Sequence, residues 1–350
     1  MSAGSTAILL LAHGTPDELT DIPKYLDNVV SGRAMPQSVV DEITHRYGLI
    51  GKSPLTALTL EQGRLLSAAV GLPVYVGMRN WKPYIADTVR QMKADGITDA
   101  VAICLAPQNS RTSVGLYRRA VLSEAAGAEG SAIRIDFIEG WAEHPRLVDA
   151  FAERLEPVLA RLSEETGAPA AVLFTAHSVP CRTIQTPAAP APGTAAAPAE
   201  APAAWVRSSA EMPSVRPTPA PDPYPVDAKR TAALVAGRLG LPADRWFFAF
   251  QSQGMSGGPW LGPTVEDTLT ALHRQGVRAI VLHTIGFLCD HVEILYDIDI
   301  AFREYARTLG MRLERPASLN ESSLLTEALA DLAHGGLARL AAAPALLTSR

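Results

Sequence analysis

Two short segments of the chain each place a histidine directly after an apolar run. His13 stands in the segment LAHGTP, which follows the apolar residues 7–11, and His177 stands in TAHSVP, which follows residues 171–174. Apolar runs of this length are typical of buried strands, and ligands bind at the carboxyl ends of strands in open α/β sheets. A single histidine in this position would be explained as a structural residue, but two at matching positions favour ligands.

Carboxylates follow another apolar run, residues 279–284. Glu293 and Asp297 stand four residues apart, so they share one face of a helix that is expected to begin near Asp290, with Asp290 as its cap. Carboxylates bind hard cations, and one imidazole adds a nitrogen ligand that suits a borderline metal such as Fe²⁺. A solvated helix face explains the same pattern equally well, and His291 is expected to orient its neighbours.

The elements that must position these residues repeat between the two halves of the chain. A strand, a helix and a strand are predicted at 74–78, 81–94 and 100–105 in the first half, and at 246–250, 260–274 and 279–284 in the second. Both helices are predicted to carry proline in the first turn, Pro83 and Pro263. Strands that alternate with helices predict parallel sheets covered on both faces, hence an α/β fold, and two such halves predict a cleft between them.

The composition is typical of a globular protein. Hydrophobic residues make up 47% of the chain and charged residues 19%, and no apolar run approaches the length of a membrane span. The formal net charge of −5 disfavours nucleic acid as the main partner. The N-terminus lacks the basic start of a secretory signal, so a cytoplasmic location is expected. Cys104, Cys181 and Cys289 lie far apart and are expected to be reduced thiols.

The 350 residues suit two domains, which we predict at 1–165 and 166–350. From about 186 to 221 the sequence becomes rich in proline and alanine and poor in charged and large apolar residues. Such a stretch cannot bury enough surface to offset the entropy lost on ordering. It is therefore predicted to be a disordered surface insertion within the second domain.

Several motifs, in order along nearly the whole chain outside that insertion, resemble the ferrochelatase family. They are Gly14-Thr15-Pro16, Ser53-Pro54-Leu55, the segment 175–180, Gln251 to Gly254, Pro259 to Pro263, and Gly286 through Asp297. The resemblance implies two Rossmann-like, chelatase-type domains whose parallel sheets face a central cleft. It also implies insertion of Fe²⁺ into a porphyrin, a step of heme biosynthesis.

The resemblance assigns roles to the residues singled out above. It makes His177 and Glu293 the catalytic pair, and it adds His13 and Asp297 to them as metal ligands, with Asp299 matching the outer acidic residues more loosely. Metal insertion must strip water from Fe²⁺ and remove two pyrrole protons. A neutral imidazole and a carboxylate can serve both as base and as transient metal ligands.

The porphyrin is indicated by residues 105–114, which resemble the branch of the family that uses coproporphyrin III. Its four propionates require cations and hydroxyls. The substrate-binding residues predicted on this basis are Arg46, Ser53, Ser110, Arg111 and Thr112. Arg46 and Ser53 match the propionate region of the family best, whereas Arg33 nearby is explained at least as well as an exposed surface charge.

The chain departs from that branch at three positions. His13 stands where relatives often carry tyrosine, and a histidine before glycine resembles the cobalt and sirohydrochlorin chelatases. Val30 and Ala301 replace a propionate-binding arginine and an outer acid that relatives often carry. The alternatives left open are a protoporphyrin IX ferrochelatase, a cobalt or sirohydrochlorin-type chelatase, and a non-catalytic tetrapyrrole carrier. The presence of both His177 and Glu293 argues against the carrier.

The expected partners follow from the same resemblance. Porphyrin and Fe²⁺ are expected as substrates, with transient contacts to other heme-pathway enzymes and no integral membrane segment. No resident cofactor is expected. Some relatives carry a C-terminal iron–sulfur cluster, but no cysteine follows Cys289 here.

Overall fold

The computed structural model describes residues 5–127, 132–184, 221–254 and 259–342. Within these residues the strands form two parallel, four-stranded sheets. The first sheet contains β1 (Ser5–Ala12), β2 (Val74–Met78), β3 (Ile97–Cys104) and β4 (Arg134–Ile138), in the order β2-β1-β3-β4. The second contains β5 (Ala171–His177), β6 (Trp246–Gln251), β7 (Ala279–Thr284) and β8 (Arg312–Glu314), in the order β6-β5-β7-β8. The predicted α/β fold with parallel sheets is confirmed.

Helices connect the strands. The first half contains α1 (Ile22–Val29), α2 (Gln37–Ile50), α3 (Leu55–Val70), α4 (Ile85–Ala94), α5 (Val114–Ala125) and α6 (Pro145–Thr166). The second half contains α7 (Cys181–Ile184), α8 (Tyr224–Arg238), α9 (Val265–Arg274), α10 (Val292–Leu295), α11 (Arg303–Thr308) and α12 (Ser323–Ala342). A π-helix, Asp297–Phe302, separates α10 from α11. None of the described helices has both the length and the apolar character needed to cross a membrane.

The apolar runs noted in the sequence are the inner strands of the two sheets. Residues 7–11 of β1 have no exposed surface, and in β5 residues 171–176 are at most 1% exposed. Each of these strands pairs with a strand on both sides and is covered by helices on both faces, so every position is buried. This explains why both runs are continuously apolar rather than alternating.

The prediction that proline occupies the first turn of two helices is wrong in both halves. α4 begins at Ile85 and α9 at Val265, and Pro83 and Pro263 precede them, each in a cis peptide bond. Each proline carbonyl instead accepts a hydrogen bond from the end of the preceding strand, at 2.6 Å for Pro83 and 2.8 Å for Pro263. The feature recurs in both halves, which confirms the internal repeat.

The helical segment predicted after Asp290 is present, but the capping role assigned to Asp290 is wrong, because the first helical turn begins at Val292 with His291 as its cap. The Asp290 carboxylate accepts hydrogen bonds from Ser318 Oγ and Asn320 Nδ2, both at 2.8 Å, so it holds a distant loop. α10 is a single turn, and the chain then widens into the π-helix, where the N–H of Ala301 donates to the carbonyl of Tyr296 five residues back. The long-range partners of Asp290 outweigh the local capping preference that its position suggested.

Two long helices bind the halves together. α6 packs on α8 and β7 of the second half, whereas α12, at the end of the described chain, packs on β3 and β4 of the first. Arg339 of α12 pairs with Asp136 of β4 at 2.8 Å. The predicted boundary at residue 165 stays a prediction. The predicted insertion lies outside the described residues, apart from Pro221.

Candidate active site

A cavity of about 290 Å³ lies where the carboxyl ends of the two sheets face each other. It is lined by His13, Arg79 and Tyr117 from the first half, and by His177, Phe287 and Glu293 from the second. The sequence prediction that both halves contribute to one site at the ends of the strands therefore agrees with this geometry.

His13 and His177 occupy equivalent positions in the two sheets. His13 follows the last residue of β1, and His177 is the last residue of β5. In each half the residue that follows the neighbouring strand donates a matching hydrogen bond. The N–H of Leu105 donates to Leu11 O at 2.8 Å, and the N–H of Ile285 donates to Thr175 O at 2.9 Å. The same backbone framework thus presents one imidazole from each sheet to the cavity.

His177 forms a close pair with Glu293. Its Nε2 lies 3.5 Å from Glu293 Oε1, and about a third of each side chain is exposed, toward the cavity. Burial lowers the pKa of His177, but the Glu293 carboxylate outweighs burial and raises the net pKa above the usual 6.5. Burial raises the pKa of Glu293, yet the histidines beside it hold that pKa well below 4.5. The pair can therefore hold a proton on the imidazole while the carboxylate stays ionised.

Two neighbours fix the orientation of Glu293. His291 Nδ1 donates to the carbonyl of Cys289 at 3.0 Å, which leaves its Nε2 3.6 Å from Glu293 Oε2. Gln251 Nε2 donates to the backbone carbonyl of Glu293 at 3.0 Å. His291 lies where the sequence placed an orienting group, whereas Gln251 stands at the end of β6 and was identified only as part of a motif.

His13 has a different environment from His177. Its Nε2 lies 3.1 Å from Tyr25 Oη, and the Asn80 amide nitrogen lies 3.0 Å from the same atom. Burial and the guanidinium of Arg79 lower the pKa of His13 from 6.5 to about 3. His13 is therefore a neutral imidazole at ordinary pH, which keeps a nitrogen lone pair free of a proton.

Backbone contacts hold the end of β5 in place. Tyr224 Oη donates to the carbonyl of His177 at 2.8 Å. Gly286 packs directly against the strand, because a Cβ at this position would lie 2.9 Å from the Cα of Ala176. The position of His177 thus depends on a tyrosine from α8 and on the absence of a side chain after β7.

Asp297 is buried beside this pair and already has partners for both carboxylate oxygens. Ser252 Oγ donates to Oδ2, and Arg46 Nη1 donates to Oδ1 at 3.4 Å. Burial and the charge of Glu293 raise the pKa of Asp297 from 3.8 to about 6. Ser252 holds a positive φ of 59°, which is rare for a residue with a side chain.

Asp299, which matched the predicted outer acidic residues more loosely, forms an ion pair with an arginine. Arg315 binds both of its carboxylate oxygens at 2.7 Å. Among the side chains that the structure describes, no group of three or more His, Cys, Asp or Glu residues is arranged to hold a metal ion. The metal-binding roles of His13, His177, Glu293 and Asp297 stay predictions.

The predicted substrate-binding residues divide into two groups. Ser110 and Thr112 lie on the cavity wall, with their hydroxyls 3.1 Å apart. Arg46, Ser53 and Arg111 do not line the cavity. Arg111 Nε lies 3.7 Å from the buried carboxylate of Asp222, which also accepts the Arg111 N–H at 2.9 Å, and the Ser53 side chain is buried before α3.

Arg79 is a cavity residue that the sequence analysis missed. Its guanidinium stacks over the Tyr117 ring, 5.4 Å from the centroid, and its Nε donates to Asn80 Oδ1 at 3.4 Å. Arg79 directly follows β2, so the same rule that singled out His13 and His177 would have found it. Tyr25 and Tyr224 reach the site from helices, and no local pattern marks them.

Comparisons with known proteins agree with this architecture. The Ferrochelatase family matches residues 5–337. The ferrochelatase of Acidobacterium capsulatum is 64% identical over 340 residues, which cover 97% of each chain. The coproporphyrin III ferrochelatase of a Geobacillus species is 30% identical over 339 residues, which cover 94% of this chain and 97% of the relative.

A solved structure is similar in fold. SirB from Bacillus subtilis with Fe³⁺ matches with a TM-score of 0.51 at 12% identity, over 97% of this chain and 98% of that one. This likeness confirms the chelatase-type fold alone, whereas the sequence relatives cover almost the whole chain at higher identity. The chain belongs to the ferrochelatase family, and it is a metal chelatase.

Proposed function

We propose that this ferrochelatase inserts Fe²⁺ into coproporphyrin III during heme biosynthesis. The observation that carries the proposal is the His177–Glu293 pair on the cavity wall, with the neutral imidazole of His13 reaching the same cavity from the other sheet. These groups supply the bases and ligands that metal insertion requires.

Insertion removes two pyrrole protons from the porphyrin and exchanges the water ligands of Fe²⁺ for nitrogen. Because Glu293 stays ionised, it stabilises a proton on His177, so the pair can accept a proton that leaves the macrocycle. Because the pKa of His177 is raised, a metal that binds this nitrogen competes with a proton for it. Iron bound here is a substrate, and His177 and Glu293 offer it one nitrogen and two oxygens.

The walls of the cavity suit a flat, apolar macrocycle with charged edges. Leu105, Val179 and Phe287 provide apolar surface, and the hydroxyls of Ser110 and Thr112 provide hydrogen-bonding groups. Arg79 brings positive charge to the same wall. Four propionates benefit from such groups more than two do, and this favours coproporphyrin III over protoporphyrin IX.

The test is an anaerobic insertion assay that compares the two porphyrins as substrates for Fe²⁺. We expect a higher kcat/KM for coproporphyrin III, because each additional charge-assisted hydrogen bond contributes about 1.5–3 kcal/mol before the cost of desolvation. Equal or better use of protoporphyrin IX would overturn the choice of substrate and leave the ferrochelatase activity standing. Faster insertion of Co²⁺ into sirohydrochlorin would overturn the reaction itself.

A further inference from the structure

An ion pair crosses between the two halves of the molecule beside the cavity. Arg46 of α2 lies 3.4 Å from Asp297 of the π-helix, measured from Nη1 to Oδ1. The same guanidinium binds Glu42 at 2.8 Å and lies over the ring of Tyr296, 4.9 Å from its centroid. The guanidinium is accessible, since a third of the Arg46 side chain is exposed, whereas Asp297 is 10% exposed.

The pair is close to the reacting groups. Asp297 follows Glu293 by four residues, and the charge of Glu293 acts directly on its carboxyl group. Val292, which lines the cavity, also packs on the cluster that contains Tyr47 of α2. The ion pair therefore lies where the wall of the cavity meets α2.

The sequence assigned different substrates to the two partners. Arg46 was predicted to bind a porphyrin carboxylate and Asp297 to bind the metal, yet in the structure they bind each other. With Ser252 on its second oxygen, each carboxylate oxygen of Asp297 has a partner while the pair is formed, so a cation that binds Oδ1 competes with the guanidinium of Arg46. Glu42 remains a partner of the Arg46 guanidinium when the pair opens.

We propose that the Arg46–Asp297 pair couples the binding of the two substrates. A porphyrin carboxylate that binds Arg46 opens the pair and frees Asp297 for the metal, and a metal that binds Asp297 frees Arg46 for the carboxylate. Whichever substrate binds first bears the cost of opening the pair, so the second binds more tightly. This inference rests on the proposed function, because it requires a porphyrin with carboxylates as substrate.

The expected size of the coupling follows from the exposure of the pair. Partly exposed ion pairs contribute up to about 1 kcal/mol, which corresponds to roughly a fivefold change in an equilibrium constant. We therefore expect each substrate to tighten the binding of the other by about two- to fivefold. Linkage requires the two factors to be equal.

The experiment measures the affinity for Co²⁺ by calorimetry in two porphyrin complexes of the full-length protein. The first contains iron coproporphyrin III, whose centre is already filled, so Co²⁺ cannot be inserted. The second contains its tetramethyl ester, which fills the cavity in the same way but has no free carboxylate. We expect the Kd for Co²⁺ to be about two- to fivefold lower with the free acid than with the ester.

Three variants assign that difference to the ion pair. In Arg46→Met, Co²⁺ should bind the ester complex as tightly as the acid complex, because Asp297 is already free. In Arg33→Met the difference should persist, since Arg33 is exposed and its Nε donates to the Val30 carbonyl. Asp297→Asn should weaken Co²⁺ binding in both complexes.

The outcomes separate this inference from the function on which it rests. Equal Co²⁺ affinities in the two wild-type complexes, an undiminished difference in Arg46→Met, or an unchanged titration in Asp297→Asn would each overturn the coupling. If Arg46→Met still weakens binding of iron coproporphyrin III in those cases, the carboxylate contact stands and only the coupling fails. If the variant leaves porphyrin affinity unchanged, the contact and the coupling both fail, whereas the substrate itself is decided by the insertion assay.

Discussion

At the scale of single residues, the site uses two equivalent histidines whose pKa values are shifted in opposite directions. Burial and the positive Arg79 lower the pKa of His13 to about 3, although Glu293 opposes them, whereas the charge of Glu293 raises the pKa of His177 above its usual value. Strand position alone made the two look alike. The neighbouring charges suit the His177–Glu293 pair to proton uptake and suit His13 to a ligand role.

We expect His177→Ala and Glu293→Gln to abolish iron insertion while porphyrin binding survives. Either change removes one half of the pair that takes up the proton and offers ligands to iron. Anaerobic turnover and porphyrin fluorescence quenching measure the two properties separately. The exposed His45→Gln serves as control and should behave as wild type. Near-normal turnover of either site variant would remove the mechanism proposed above.

At the scale of elements, the ends of β5 and β7 set the position of the reacting groups. Gly286 lies against Ala176, so the loop after β7 can pass close to the strand that carries His177. That loop leads directly to Phe287, which packs edge-on against His177 with ring centroids 6.1 Å apart. A small displacement of this loop would therefore move both the histidine and the wall of the cavity.

A methyl group added at this contact should damage stability and activity together. In Gly286→Ala the new Cβ would lie 2.9 Å from the backbone of Ala176, so either the loop after β7 or β5 must shift. We expect a loss of about 1–3 kcal/mol in the free energy of unfolding, as in other overpacked cores, and at least a tenfold loss of turnover.

Gly48→Ala is the matched control for this change. Gly48 lies inside α2, and a Cβ there would meet no atom within 4 Å. Alanine should stabilise the helix by roughly 0.5–1 kcal/mol and leave turnover unchanged. Denaturant unfolding and the insertion assay compare the pair. Equal stability of the two variants would show that the Gly286 contact relaxes without cost.

At the scale of the whole molecule, the halves are joined by exchanged helices and by contacts around the cavity. α6 packs on the second sheet and α12 on the first, so neither half buries its sheet without the other. His283 of β7 is part of this junction, because its Nε2 lies 3.1 Å from the carbonyl of Phe151 in α6.

The buried His283 should make the junction sensitive to acid. Burial lowers its pKa from 6.5 to about 3. In the unfolded chain this histidine binds a proton below about pH 6.5, whereas in the folded protein it does so only below about pH 3. The free energy of unfolding therefore falls as the pH drops through this window. The slope from one such group reaches about 1.4 kcal/mol per pH unit.

Denaturant unfolding between pH 7 and pH 4 checks this expectation. In His283→Gln the free energy of unfolding should fall less steeply with decreasing pH than in wild type. The difference in slope should be at most the contribution of one proton. His334→Gln, at an exposed position of α12, should keep the wild-type slope. A slope in His283→Gln as steep as in wild type would contradict the assignment.

Replacing residues 186–221 by a short glycine-serine linker should leave the thermal midpoint and turnover nearly unchanged. The described ends of the gap already meet, since the N–H of Asp222 donates to the carbonyl of Ile184 at 3.3 Å, so a short linker suffices. Extending the deletion through Asp222 removes the buried carboxylate that binds Arg111 and should lower both quantities. A large loss from the shorter deletion would show that the segment packs on the body.

The sequence by itself determined the inner strands, the parallel α/β architecture and the place of both histidines. Short continuous apolar runs are typical of strands that are buried on both faces, and β2 and β7 begin and end at the predicted residues. The sequence also identified the family, because motifs spread along the whole chain occur in the order the family requires. Each strand and each motif is readable within a window of a few residues, and only the order of the motifs involves the whole chain.

Only the tertiary structure decided which charged groups meet. Arg46 and Arg111 were both predicted to bind porphyrin carboxylates, yet one binds Glu42 and Asp297 and the other binds Asp222. The partners lie up to 251 residues apart, so no local pattern could connect them. A charged side chain acts according to its neighbours in space, and packing of the two halves chooses those neighbours.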